Sequence, residues 1–256
     1  MEKPLVSVIT SLYNYENYIS YCIESVRAQT YHDWEMIVVD DASPDNSYAV
    51  ALKAAEGEPR IRVVQQPVNK GVSEARNRAL DMAQGRFVAF LDADDAWKPE
   101  KLSKQVAFML EKDAPISYTA YLLIDNHNIV SESKVDVVDC LDYKAYLKNT
   151  IIGNSTAMID RSKTGSVYYS GLRSREDTQM WIRLLRAGYR AYGLPEYLTL
   201  YRTDHQSLTS NRAKAAWQVW LLYYKIEKLG LFNALYFFSF YAINAVRKRI
   251  KAPGYK

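Results

Sequence analysis

The sequence is poor in the residues that staple small folds or bind soft metals. It has two cysteines, Cys22 and Cys140, far apart and outside any CxxC or Cys/His cluster. That excludes a disulfide framework and a zinc knuckle, and suits a reducing compartment. Neither GxGxxG nor GxxxxGK[ST] occurs, so a glycine-rich phosphate cradle at a helix N-terminus is not the main device. Met1-Glu2-Lys3-Pro4 leads straight into an apolar run without the basic start and cleavage site of a secretory signal, and nothing marks export. Internal repeats and low-complexity tracts are absent. A net charge of +4 is too small for a nucleic-acid binder, which concentrates many more cations on one face.

What is present is a rhythm of short apolar runs and helical patterns. Leu5 to Ile9, Met36 to Val39, Ile61 to Val64 and Phe87 to Leu91 are β-branched, apolar and strand-length. Between them, helices are expected over Tyr18 to Gln29, Asn46 to Ala55 and Val72 to Ala83, the last with Gly85 as its C-cap. Strand, helix, strand, helix implies an α/β, doubly wound, mostly parallel sheet flanked by helices. In such sheets ligands sit beyond the carboxyl ends of the strands. Those ends carry Thr10, Ser11, Tyr13 and Asn14; then Asp40, Asp41 and Ser43; then Asp92, Asp94 and Asp95. Three carboxylates within four residues after an apolar strand repel unless a cation sits among them, and hard oxygens suit Mg2+ or Mn2+. The competing reading is a solvated acidic turn capping the helix near Pro99.

Four segments in order resemble the family 2 glycosyltransferases of GT-A fold. They are Val6-Ser7-Val8-Ile9 through Asn14, Ile37-Val38-Val39-Asp40-Asp41-Ala42-Ser43, Asn69-Lys70-Gly71-Val72-Ser73-Glu74-Ala75-Arg76-Asn77, and Asp92-Ala93-Asp94, which matches the DXD motif. Arg175-Glu176-Asp177-Thr178-Gln179-Met180-Trp181 resembles the acidic pair that opens a helix in the family's second half. The alternative for that pair is plain complementation of the helix dipole.

The resemblance implies a UDP-sugar donor and an inverting transfer of a single sugar, since the Gln/Arg-x-x-Arg-Trp signature of processive members is missing. It assigns Asp177 as base with Glu176 beside it, Asp94 as metal ligand, and Asp92 to the ribose or a metal-bound water. Ser11 and Tyr13 would line the base and ribose pocket, Asp41 would meet the uracil, Arg76 the diphosphate, and Asp95 would orient the donor sugar, while Asp40 supports the pocket. Ser11 stands where the family usually has proline. His205, in Tyr201-Arg202-Thr203-Asp204-His205, falls one place late for the family's Tyr-Arg-x-His, and is either a metal or diphosphate ligand or a surface histidine. A lid is expected over Leu194 to Asn211.

The expected organisation is a catalytic domain over 1–212, with a nucleotide-binding half (1–98) and an acceptor-binding half (99–212), then a helical appendage over 213–256. Residues 229–246 are uncharged and precede Arg247, Lys248, Arg249 and Lys251. Three readings stay open for them: a membrane-surface helix, packing on the core or a partner chain, and a true span. The acceptor expected from resemblance to bacterial surface-polysaccharide transferases is a lipid-linked glycan, at the inner face of the cell membrane. Oligomers are compatible with the sequence and nucleic acid is not a partner. The rival readings are a metal-dependent nucleotidyltransferase and a non-catalytic nucleotide-sugar-binding subunit.

Overall fold

The computed structural model describes residues 5–172, 174–203 and 212–251, without the side chains of 212–214 and 247–251. In chain order its elements are β1 (Val6–Leu12), α1 (Ile19–Arg27), β2 (Trp34–Asp40), α2 (Ser47–Ala55), β3 (Ile61–Gln65), α3 (Val72–Met82), β4 (Phe87–Phe90), β5 (Ala96–Trp97) and α4 (Lys101–Glu111). Then come β6 (Ile116–Ile124), β7 (Val130–Val135), β8 (Cys140–Leu141), α5 (Tyr143–Lys148), β9 (Ala157–Asp160), α6 (Arg161–Thr164), α7 (Glu176–Arg186), β10 (Ala191–Arg202), α8 (Arg212–Leu221) and α9 (Leu231–Lys251).

One sheet runs in the order β3-β2-β1-β4-β9-β6-β10-β5, with β7 on β6 and β8 on β10. β3, β2, β1 and β4 are parallel, as expected, and the order turns at β1, whose carboxyl end is therefore the crevice. The parallel register stops there: β9 runs antiparallel to both β4 and β6. The strands of the first half are buried on both faces because alternate residues feed two cores. Val8, Met36 and Val38 pack with Ile19, Ile23 and Val26 of α1 on one side. Ile9, Ile37 and Val39 pack with Ala75 and Ala79 of α3 and with Met180 and Trp181 of α7 on the other. Ile19, Cys22, Ile23 and Val26 follow the i, i+3, i+4, i+7 spacing that gives α1 one buried face.

Two expectations are corrected. Gly85 is no helix cap, since α3 ends at Ala83 in extended conformation. It is glycine because β1 passes closely: a Cβ there would lie 2.7 Å from the Ser7 backbone nitrogen, and the Gly85 N–H donates to Ser7 Oγ at 2.8 Å. Gly85→Ala is expected to cost about 1–3 kcal/mol by overpacking, read as a lower urea midpoint. The expected lid is in its first part a strand, because Tyr197 to Arg202 pair with β6 on one side and Thr199 and Leu200 with β5 on the other. Pro195, which has no N–H to give, falls in a register shift between Leu194 and Tyr197. The rest of that segment, 204–211 with His205, lies outside the described residues.

Asp160 closes β9 and caps α6. It accepts from the Ser162 N–H (3.0 Å) and hydroxyl (2.6 Å) and from Arg86 Nη2 (2.7 Å). Burial alone would raise this carboxyl, but Arg86 and Ser162 outweigh it and hold it below its ordinary value. A depressed carboxyl stabilises the fold above its unfolded pKa of about 3.9, and that contribution disappears as pH falls through the folded value. Asp160→Asn is therefore expected to cost about 1–3 kcal/mol near neutrality, with the difference from wild type shrinking below about pH 4 in urea titrations.

Candidate active site

Three carboxylates leave β4 in a single turn, and distant parts of the chain hold Asp92 and Asp95. Asp92 Oδ1 accepts from Arg76 Nη2 at 2.6 Å and from Asn154 Nδ2 at 2.8 Å. The Asp92 N–H donates to Ser155 Oγ at 3.0 Å, and that hydroxyl donates to Asp95 Oδ2 at 2.5 Å. Asp95 Oδ1 accepts from the Arg202 N–H at 2.7 Å, and Arg202 Nε reaches the Asp94 carbonyl at 2.7 Å. Burial first, and then the charges of Asp94 and Asp92, push the Asp95 carboxyl well above the usual carboxylate range. Asp95 is only 2% exposed, and both its oxygens are engaged within the protein. Among the described residues no cluster of three or more His, Cys, Asp or Glu forms a ready-made metal cage. The donor chemistry nonetheless fits a hard divalent cation, because the turn Asp92 to Asp95 offers oxygens from three carboxylates within four residues.

Arg76 joins this turn to the second acidic pair. From the first turns of α3 its Nη2 binds Asp92, its Nη1 binds Glu176 Oε1 at 2.9 Å, and its guanidinium lies 5.0 Å from the centre of the Tyr169 ring. Burial opposes a charge here, but Asp92, Tyr169, Glu176 and Asp177 more than offset it and keep the guanidinium protonated. Asn77, the next residue, clamps the backbone of Tyr169 from both sides, at 2.9 Å and 2.7 Å, and the Tyr169 hydroxyl donates to Asn154 at 2.8 Å.

α7 opens on Glu176 and Asp177 after Arg175, which is held in the left-handed region at φ 62°. Asn14 (φ 60°) beyond β1 and Ala42 (φ 56°) beyond β2 share that costly conformation. Three strained non-glycine residues thus ring the same crevice, as happens where geometry serves a ligand. Glu176 is tied to Arg76; burial first and then Asp177 raise its carboxyl, against the pull of Arg76. Asp177 Oδ1 takes the Thr178 N–H at 2.6 Å.

The neighbouring flank of the crevice is built by β1 and β2. Ser11 lies within β1 opposite Val39, and Tyr13, just beyond, is exposed. Asp40 turns back to Ser43 and Gln65, as a support would. Asp41 is buried: Oδ1 accepts from Gln66 Nε2 (2.7 Å) and the Lys70 N–H (2.8 Å), and Oδ2 from the Gly71 N–H (2.7 Å). It thereby fixes the loop that leads into α3 and Arg76, a role the sequence did not suggest. The structure so brings Arg76, Asp92, Asp94, Asp95, Glu176 and Asp177 together around one crevice, with Ser11, Tyr13 and Asp41 on its β1–β2 flank. Asn77, Asn154, Ser155, Tyr169 and Arg202 join them without having been singled out as site residues.

A parallel half-sheet with an acidic turn at its crevice, followed by a mixed half that carries a second acidic helix, is the GT-A arrangement. Residues 7–156 match the family described as glycosyl transferase family 2, and the chain belongs to that family and is a glycosyltransferase. It is 44% identical over 248 residues to the Bacillus subtilis glycosyltransferase TuaG, named for teichuronic acid biosynthesis, covering 97% of this chain and 98% of that one. It is 35% identical over 221 residues to the Escherichia coli UDP-Glc:alpha-D-GlcNAc-diphosphoundecaprenol beta-1,3-glucosyltransferase WfgD, covering 86% and 85%. Among solved structures, Staphylococcus aureus TarS 1-349 in complex with UDP-GlcNAc superposes with a TM-score of 0.68 at 21% identity over 86% of this chain and 67% of that one. The mannosyltransferase PcManGT of Pyrobaculum calidifontis, in complex with GDP-Man and Mn2+, gives 0.68 at 20% identity over 90% and 66%.

Proposed function

We propose that this chain is a metal-dependent, inverting glycosyltransferase that moves one sugar from a UDP-sugar to a hydroxyl of a lipid-linked glycan in bacterial surface-polysaccharide synthesis, at the inner face of the cell membrane. One observation carries the reading: Arg76 bridges Asp92 of the acidic turn and Glu176 beside Asp177, so the donor-phosphate end and the base end share a single site. The names of TuaG and WfgD favour the pathway and the lipid diphosphate acceptor, and UDP in the WfgD and TarS names favours the donor.

Asp177 takes the acceptor hydroxyl proton as that oxygen bonds to C1 of the donor; the bond from C1 to the diphosphate breaks, and UDP departs with the electron pair. A single displacement inverts C1. Arg76 lies where it can meet charge growing on the leaving diphosphate, and Ser11, Tyr13 and Asp41 form the nucleoside side. A divalent ion, Mn2+ or Mg2+, held by Asp94 with help from Asp92, would neutralise that diphosphate, an effect worth several kcal/mol. Residues 1–98 serve the donor and 99–212 the acceptor.

The test is release of UDP from UDP-sugars with and without an undecaprenyl-diphosphate-linked sugar. UDP released only with acceptor supports transfer. Pyrophosphate release would replace the reading by nucleotidyl transfer, and nucleotide binding without turnover by a non-catalytic subunit.

A further inference from the structure

α9 has two apolar faces and the fold uses one. Ala234 and Phe237 are buried in the main core beside Val219 and Tyr223. On the other side Phe232 is 86% exposed, and Leu235, Tyr236, Ile243 and Val246 are each about half exposed. Their spacing of three, four and seven residues places them along one stripe of the helix. Trp217 of α8 is also exposed, at 59%. So large an apolar stripe on a chain in water calls for an occupant.

The charge pattern says which occupant. Residues 229–256 hold five Lys or Arg and no Asp or Glu, whereas the whole chain is +4, so the other residues together carry −1. Four of the five, Arg247, Lys248, Arg249 and Lys251, fall in the last turns of α9. Lys148 adds a cation at the stripe, its Nζ 5.3 Å from the Tyr236 ring and 5.0 Å from the Phe240 ring. An uncharged aromatic stripe ending in cations fits a bilayer interface with anionic headgroups, whereas pairing with a second copy would set these cations against no acid of α9. No helix among the described residues is long and apolar enough to cross a membrane, so α9 would lie along the surface.

We infer that α9, through Phe232, Leu235, Tyr236, Ile243 and Val246 and its basic end, docks this enzyme flat on an anionic lipid surface and thereby presents the Asp177 side of the site to acceptors held in that surface. The linkage to the site runs through α5 and α8. Asn244 Nδ2 of α9 donates to the Lys148 carbonyl of α5 at 3.0 Å, and α5 packs on α7, which opens on Glu176 and Asp177. Arg175, just ahead of Glu176, donates to the Ala215 carbonyl of α8 at 3.5 Å. The lipid-linked acceptor part rests on the proposed function; the docking does not.

The test is co-sedimentation of the full chain with phosphatidylcholine vesicles, with and without phosphatidylglycerol. Wild type is expected to bind the phosphatidylglycerol vesicles and to lose binding as salt rises. Phe232→Glu with Ile243→Glu is expected to reduce the bound fraction about tenfold or more, with circular dichroism and UDP binding unchanged. Phe232→Ser alone, at a side chain too exposed to support the core, should weaken binding in the same direction. Wild type remaining in solution with both vesicles, or variants binding as well as wild type, would overturn the inference. So would a concentration-dependent dimer that the variants abolish without any vesicle binding. Transfer to a detergent-soluble acceptor reads the active site separately, so loss of docking and loss of the proposed reaction are told apart.

Discussion

Asp177→Asn is expected to lower kcat by about 10² to 10⁴, the usual contribution of a positioned general base, while leaving UDP affinity within a factor of about two. Asparagine keeps the size of the side chain at the start of α7 and can still accept the Thr178 N–H, so the helix start survives and only the proton acceptor is lost. Glu176 cannot substitute, because it is held by Arg76 at 2.9 Å. A fall in kcat with unchanged nucleotide binding separates the base from a mere helix-dipole partner, which would show as a loss of stability of about 0.3–1 kcal/mol with turnover preserved.

The second large effect falls on Arg76. Arg76 is 6% exposed, and its guanidinium answers two carboxylates on different elements, Asp92 and Glu176. Arg76→Met leaves Glu176 without its cation and Asp92 with only the neutral Asn154 amide, and breaking a buried pair from one side costs about 3–5 kcal/mol. Arg76→Lys recovers part of this at most, since one ammonium cannot span two acids as a planar fork does. The pH dependence has a definite sign. Glu176 is already raised, and without Arg76 it rises further; a carboxyl raised in the folded state destabilises the fold when it ionises. The deficit of Arg76→Met should therefore be small near pH 4 and grow toward pH 7 in urea titrations, the range in which carboxyls of raised pKa ionise. A deficit independent of pH would mean that lost packing on Tyr169, and not charge, is what the variant removes.

Much of the parallel half was legible. The apolar runs Leu5 to Ile9 and Met36 to Val39 fall in the strands Val6–Leu12 and Trp34–Asp40, which are buried along nearly their whole length, and the helical spacing of Ile19, Cys22, Ile23 and Val26 marks α1. The acidic turn and the Glu176-Asp177 helix start were legible as motifs. The partners that hold them were not. Asn154 reaches Asp92 across 62 residues, Ser155 reaches Asp95 across 60 and Tyr169 meets Asn77 across 92, separations over which no local periodicity carries information. Gly85 misled because a glycine just past a helix reads as a cap, whereas here only the approach of β1 requires it. The lid expected from Leu194 onward misled as well, since Pro195 falls in a register shift inside a twelve-residue strand and does not end it.

We propose that the turn Asp92 to Asp95 holds a metal on which donor binding depends. This is tested most directly by calorimetric titration of UDP into the protein with Mn2+, with EDTA, and with Mn2+ into Asp94→Ala. Binding with Mn2+ that is lost in EDTA and in Asp94→Ala is the predicted result. UDP binding of equal affinity in all three titrations, or none in any, would contradict it.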